Sequence, residues 1–288
     1  MSCVRYTRSE FFNGGYVIME TLDTVNIPIR KDETHKGDYG KILLIGGSAN
    51  MGGAIMLAAR ACVYSGSGLI TVATHPNNHA ALHSRCPEAM VIDINDTKML
   101  TKMIEATDSI LIGPGLGVDF KGNNAITFLL QNIQPHQNLI VDGDAITIFS
   151  KLKPQIPTCR VIFTPHQKEW ERLSGIPIEE QTYERNREAV NNLGATVVLK
   201  QHGTEIYFKD DAYKLSIGTP AMATGGMGDT LAGMITSFVG QFDSLKDAVT
   251  SATYTHSYIG EKLSESMYVV PPSRLISEIP YVMKQLEG

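Results

Sequence analysis

The chain has 288 residues, of which 43% are hydrophobic and 19% charged, and a formal net charge of −5. That length suits one large α/β domain or two small ones, and the composition is that of an ordinary globule with a sizeable core. The acidic balance argues against a nucleic-acid backbone or an anionic membrane as main partner, although main-chain amides can still hold a phosphorylated ligand.

No apolar run approaches the roughly 18 residues of a membrane span. Cys3, Cys62, Cys86 and Cys159 show neither metal-ligand nor redox spacing, which reads as reduced thiols in a cytoplasmic protein. Arg5 and Arg8 precede Phe11-Phe12-Asn13-Gly14-Gly15, a stretch too short and broken for a signal peptide. Asn13-Gly14-Gly15-Tyr16 is what a purine-rich ribosome-binding sequence ahead of Met19 would encode. Met19 is therefore expected to be the start, with 1–18 as translated leader. Residues 1–20 read as a poorly ordered leader and 21–288 as one catalytic domain.

From Lys41 onward, short apolar runs alternate with amphipathic segments. Strands are expected over 42–45, 69–74, 89–92, 110–112, 139–141, 161–164 and 196–200. Helices are expected over 54–65, 98–105, 123–131, 167–174 and 181–193. Continuous apolar strands alternating with helices predict an α/β fold, a central mostly parallel sheet flanked by helices. Segments 205–208 and 213–215 read as an antiparallel hairpin. A helix follows over 230–239. Another carries Leu245, Ala248, Val249, Ala252, His256, Ile259 and Leu263 as one stripe, and a last one opens at Pro271-Pro272-Ser273, with a kink expected at Pro280.

In such a sheet, ligands bind beyond the carboxyl ends of the strands, and the chemistry-bearing residues fall there. Gly46-Gly47-Ser48-Ala49-Asn50-Met51-Gly52-Gly53-Ala54 follows the first strand but lacks a phosphate-loop lysine and a dinucleotide fingerprint. Gly113-Pro114-Gly115-Leu116-Gly117 is either a ligand approach or a tight turn. Asp142 either holds a magnesium-bound water or ligand hydroxyl, or is structural; Asp144 reads as the N-cap of the next helix. His166 faces the same rim, and Glu169 either orients a hydrated metal or favours a first helical turn. Lys200 either meets a phosphate or is a solvated strand end, and the Gly203 turn can touch a base or ribose. His75, His79 and His83 stand at four-residue spacing with no carboxylate or cysteine to complete a metal site, and Asn77-Asn78 suggests an exposed turn. Trp170 reads as a packing residue.

The most informative stretch is 221–233, Ala-Met-Ala-Thr-Gly-Gly-Met-Gly-Asp-Thr-Leu-Ala-Gly. Gly225, Gly226 and Gly228 permit a tight turn into a helix N-terminus, where unpaired N–H groups and the dipole attract an anion. Asp229 would repel that anion, unless it is there to take a proton from an attacking hydroxyl. The bland alternative is an ordinary N-cap. Turn, helix start and acid together point to phosphoryl transfer to an alcohol.

His35-Lys36-Gly37-Asp38-Tyr39-Gly40-Lys41, Gly46-Gly47-Ser48, the 113–117 turn, Thr164-Pro165-His166, 200–204 and Ala223 to Asp229 occur in that order. Together they resemble the ADP/ATP-dependent NAD(P)H-hydrate dehydratases of the ribokinase-like superfamily, from about Thr34 to the C-terminus. The resemblance implies a three-layer ribokinase-like fold without a separate lid, and a homotetramer. It implies (S)-NADHX or NADPHX as substrate, ADP (or ATP) as phosphoryl donor and Mg2+ as cofactor. By matching position, Ala54, Gly115, Gly117, His166 and Asp229 would contact the hydrated nicotinamide nucleotide, with Asp229 catalytic. Lys200, Gln201, His202, Gly203, Thr204, Gly225, Gly226 and Gly228 would contact the adenine nucleotide, and Glu169 and Asp142 would hold magnesium through water. Two departures stand out. Gln167-Lys168 precedes Glu169 where the family commonly has Pro-Gly, and Gln201 follows Lys200 in place of glycine. The competing expectations are a small-alcohol kinase of the hydroxymethylpyrimidine or hydroxyethylthiazole type, and a nucleotide-sensing module without turnover.

Overall fold

The computed structural model describes residues 4–7 and 19–288. The leader expected over 1–20 falls largely outside them, as does Cys3. Residues Val4–Thr7 form strand β1, antiparallel to β2 (Glu20–Val25).

Strands β3 (Lys41–Ile45), β4 (Leu69–Thr74), β5 (Met90–Asp93), β6 (Ser109–Ile112), β7 (Asn138–Val141), β8 (Arg160–Phe163) and β9 (Thr196–Leu199) are all parallel. The hairpin β10 (Glu205–Tyr207) and β11 (Ala212–Leu215) continues the sheet, β10 antiparallel to β9. Among the described residues the order is β1-β2-β11-β10-β9-β8-β7-β6-β3-β4-β5. Strand β2, parallel to β11, carries no continuous apolar run, and the sequence reading missed it. Its Leu22 and Val25 join the same core while Asp23 is exposed, because the pairing with β1 shifts register at Asp23 and breaks the strict alternation.

Both faces of the parallel strands are covered, so neighbouring residues serve opposite cores. Ile42 and Leu44 join one core and Leu43 and Ile45 the other. The first core takes α1 (Gly52–Tyr64), α2 (His79–Arg85), α8 (Met227–Val239), α9 (Leu245–Ser264) and α10 (Pro272–Gln285). The second takes α3 (Thr97–Ala106), α4 (Phe120–Asn132), α5 (Asp144–Leu152), α6 (Gln167–Ser174) and α7 (Tyr183–Leu193). Each buried Val, Leu or Ile contributes about 1.5–3 kcal/mol, which is why the strands read as unbroken apolar runs. This is the three-layer α/β fold expected.

Helix α9 departs from its expected single stripe, for all residues from Ala248 to Ser257 are buried. It lies between α8, α10 and β2. Its hydroxyls tolerate this because they bond back along the helix: Thr250 to the Lys246 carbonyl at 2.8 Å, Thr253 to that of Val249 at 2.7 Å. Helix α10 continues through Pro280. Trp170 packs as expected, 1% exposed, its Nε1 donating to Asn186 Oδ1 at 2.8 Å. Cys62, Cys86 and Cys159 are free and buried. No helix of the described residues is long and apolar enough to cross a membrane.

Candidate active site

The loops after β3 and β6 are joined main chain to main chain. Gly47 N donates to the Pro114 carbonyl at 2.9 Å and Ser48 N to that of Gly115 at 2.6 Å. The backbone of Gly115 lies so close to Met51 that a Cβ would stand 2.2 Å from the Met51 carbonyl and 3.2 Å from the Ala54 Cβ. Ala54 and Gly115 thus share one wall.

Two side chains missed as supports complete this wall. Asp144 does not cap its helix, whose N-cap is Gly143; its Oδ2 instead accepts from Gly117 N at 2.8 Å. A carboxylate offered a ligand-loop amide beats one offered only to its own helix, because that amide has no other partner. Asn78 is buried, against the exposed turn expected at 77–78. Its Nδ2 donates to the Gly47 carbonyl at 2.8 Å and to Thr74 Oγ1 at 2.9 Å. Only the surrounding fold reveals either role.

The loops after β7, β8 and β9 are joined by main chain and by charged side chains together. Lys200 N donates to the Pro165 carbonyl at 2.8 Å, which brings His166 and Lys200 side by side. Lys200 is no solvated strand end: its Nζ lies 2.9 Å from Asp142 Oδ1, where Thr164 Oγ1 also donates at 2.6 Å. Burial alone would lower the Lys200 ammonium, but Asp142, Glu169 and Asp229 outweigh it and hold it above its ordinary value. That same Nζ stands 3.1 Å from where a Gly228 side chain would begin, so it reaches the glycine turn.

His166 and Glu169 cap α6 reciprocally. His166 Nδ1 accepts from the amides of Lys168 and Glu169 at 3.1 and 3.3 Å, while His166 N donates to Glu169 Oε2 at 2.8 Å. With Nδ1 accepting, the proton sits on Nε2, half-exposed and 3.7 Å from Glu169 Oε1. Burial first, then Lys200, lowers the His166 pKa, which keeps the ring neutral. Glu169 is raised, chiefly by burial. Replacing Pro-Gly by Gln167-Lys168 leaves this cap whole.

Helix α8 begins earlier than expected, at Met227, with Gly226 as N-cap in the left-handed region at φ 93°. Asp229 is therefore not an N-cap but stands in the first turn. Met227 N turns back to the Thr224 carbonyl at 3.4 Å, so the amides free for an anion are those of Gly225, Gly226, Gly228 and Asp229. Burial, then the neighbouring Asp142 carboxylate, push the Asp229 carboxyl up to about 6; Lys200 pulls it down. An acid that titrates near neutrality beside free amides can accept a proton while the amides hold an anion.

The 200–204 turn lies against β11, with Lys214 Cε 3.0 Å from where a Gly203 side chain would start and Thr204 Oγ1 3.4 Å from the Gln201 carbonyl. His202 lies in the same turn. Of the expected metal donors, Asp142 Oδ1 is committed to Lys200 and Thr164 and Glu169 Oε2 to His166 N. Among the described residues no group of three or more His, Cys, Asp or Glu is placed to hold a metal ion.

A cavity of about 700 Å³ opens on the far side of the glycine wall, lined by Gly47 to Asn50 and Gly117. A second, of about 390 Å³, lies between α6 and α7 against Trp170, away from every rim residue.

The chain matches the family described as NAD(P)H-hydrate dehydratase over residues 42–281. It is 87% identical to an ADP-dependent (S)-NAD(P)H-hydrate dehydratase of Staphylococcus aureus, over 96% of this chain and 100% of that one. Its fold superposes on a ribokinase-like superfamily protein of Enterococcus faecalis with a TM-score of 0.89 at 44% identity, covering 91% and 92% of the two chains. It superposes also on the ADP/ATP-dependent NAD(P)H-hydrate dehydratase of Bacillus subtilis co-crystallized with ATP/Mg2+, with a TM-score of 0.82, 31% identity and coverage of 91% and 95%. By descent and by fold, this chain belongs to the NAD(P)H-hydrate dehydratase family.

Proposed function

We propose that the protein uses ADP to dehydrate (S)-NADHX and NADPHX, restoring NADH and NADPH and releasing AMP and phosphate. One observation carries the reading. Asp229, held near pKa 6, stands in the first turn of α8 among free main-chain amides. Hydroxide leaves poorly from the hydrated ring, so the hydroxyl is phosphorylated first. The hydroxyl oxygen attacks the terminal phosphorus of ADP, the bridging P–O bond breaks and AMP departs. Asp229 accepts the hydroxyl proton, while the amides of Gly226 and Gly228 and the Lys200 ammonium balance the charge on the moving phosphoryl group. The ring nitrogen's lone pair then expels phosphate, and loss of a proton from the adjacent ring carbon restores the dihydronicotinamide.

Ala54, Gly115, Gly117 and His166 are the residues proposed to contact the hydrate, with His166 offering its Nε2 proton. Lys200 to Thr204 are proposed to contact the adenine nucleotide. Magnesium would be held here through its waters rather than by direct ligation, since among the described residues no three donors converge. When bound it neutralises phosphate charge. The oxygens of Asp142 and Glu169 left over from Lys200, Thr164 and His166 are the donors that would hold its waters. A homotetramer in the cytoplasm completes the proposal.

The deciding assay mixes the protein, ADP and chemically hydrated NADH. Reduced-nicotinamide absorbance should return with one AMP formed per NADH. A stable phosphorylated product without that absorbance would make it an alcohol kinase, and nucleotide binding without any turnover would make it a sensor.

A further inference from the structure

The proposed chemistry concerns only the nicotinamide ring, yet the substrate is a dinucleotide whose adenosine half must rest somewhere. We propose that the cavity of about 700 Å³ beyond the glycine wall seats that adenosine half. The inference rests on the dehydratase reading and deepens it.

Three observations carry it. First, the cavity shares its wall with the ring site: Gly47 to Asn50 and Gly117 line it, and Gly115, two residues before Gly117, packs against Ala54 of α1. A molecule held at Gly115 can therefore run past Gly117 into the cavity without crossing a strand. Second, the order of strands separates it from the other nucleotide. The 200–204 turn follows β9, whereas the cavity lies over the ends of β6, β3, β4 and β5. Asp142, Lys200 and Asp229 stand between, so ADP and the cavity's occupant approach from opposite sides.

Third, the lining suits a purine nucleoside. Leu100 and Leu116, both nearly buried, join Phe128 and Ala125 as apolar lining. Asn95, Thr97 and Gln131 supply donors and acceptors at its edge for ring nitrogens and ribose hydroxyls. The volume lies within the range of about 300–1,000 Å³ that small-molecule sites occupy. Lys121 is the one Lys or Arg in the lining, and Asp119 Oδ1 is turned to the amides of Lys121 and Gly122.

The test fills the cavity from α4. Ala125→Phe intrudes from a half-buried position, and Thr127→Trp does so from an exposed one that leaves the core intact. Both should raise KM for hydrated NADH by about tenfold or more. The ADP KM should stay the same, and the hydrate of reduced nicotinamide mononucleotide, which has no adenosine, should be turned over as by wild type. An unchanged KM for hydrated NADH in both variants would overturn the proposal, as would an equal loss on both substrates. If wild type turned over neither hydrate, the dehydratase reading itself would fall, and this inference with it.

Discussion

On the β3–β6 side of the rim the loops are tied by main-chain bonds from Gly47 to Pro114 and from Ser48 to Gly115. On the β7–β9 side a main-chain bond from Lys200 to Pro165 is joined by an ion pair, Lys200 meeting Asp142 across 58 residues of chain. The first half has shape and little charge, so it tolerates pH but no added atom. The second concentrates Asp142, Glu169, Asp229 and Lys200, so it tolerates small changes of shape but not of charge. The surface proposed to fit a neutral ring and the surface proposed to steer a proton and a phosphate are thus built by different means.

The charged half is broken most severely at Asp229. Asp229→Asn should lower kcat by about 10²–10⁴ while leaving ADP affinity within a few-fold, read by steady-state kinetics and calorimetry. In wild type kcat/KM should climb with pH through about 6, because the base must be ionised to accept a proton. Lys200→Met comes next. It leaves the Asp142 carboxylate, 3% exposed, without its cation and should cost about 3 kcal/mol in urea unfolding. It should also move the acid limb of the pH profile upward, since Lys200 is what holds Asp229 down.

The glycine half should fail differently. In Gly46→Ala the new Cβ would stand 2.3 Å from the Pro114 carbonyl, for a loss of about 1–3 kcal/mol that does not vary with pH. Asp144→Ala frees the Gly117 N–H and should cost about 1 kcal/mol, with a higher KM for the hydrate and an unchanged one for ADP.

The smallest effect is a gain. Above its pKa of about 6 the ionised Asp229 opposes folding, and that penalty fades as pH falls toward the unfolded value near 3.8. A shift of that size represents roughly 3 kcal/mol, of which about 1 survives solvent screening at a partly exposed carboxyl. Asp229→Asn should therefore be about 1 kcal/mol more stable at pH 7.5, with the gain lost by about pH 4 in paired urea titrations. Equal stability at both pH values would mean that the carboxyl is not strained.

Much of this is legible in the residues. Ile42 to Ile45 and Leu139 to Val141 are strands by their unbroken apolar character, because water is excluded from both faces of the sheet. The glycine spacing at 225–228 announces a turn into a helix, because few other residues reach the φ of 93° at Gly226. What the letters hid are partnerships between distant loops. Asp144 looks like a cap until Gly117 is folded beside it, and Asn78 looks like a turn residue until the Gly47 carbonyl needs a donor. Lys200 looks solvated until Asp142 and Asp229 surround it. Periodicity and glycine placement act within a few residues and so are written locally, whereas the charge on a carboxylate depends on what the whole chain brings within a few ångströms of it. The order of strands, glycines and acids along the chain marks the rim and singles out Asp229; the tertiary structure alone shows which charges surround that acid and raise its pKa.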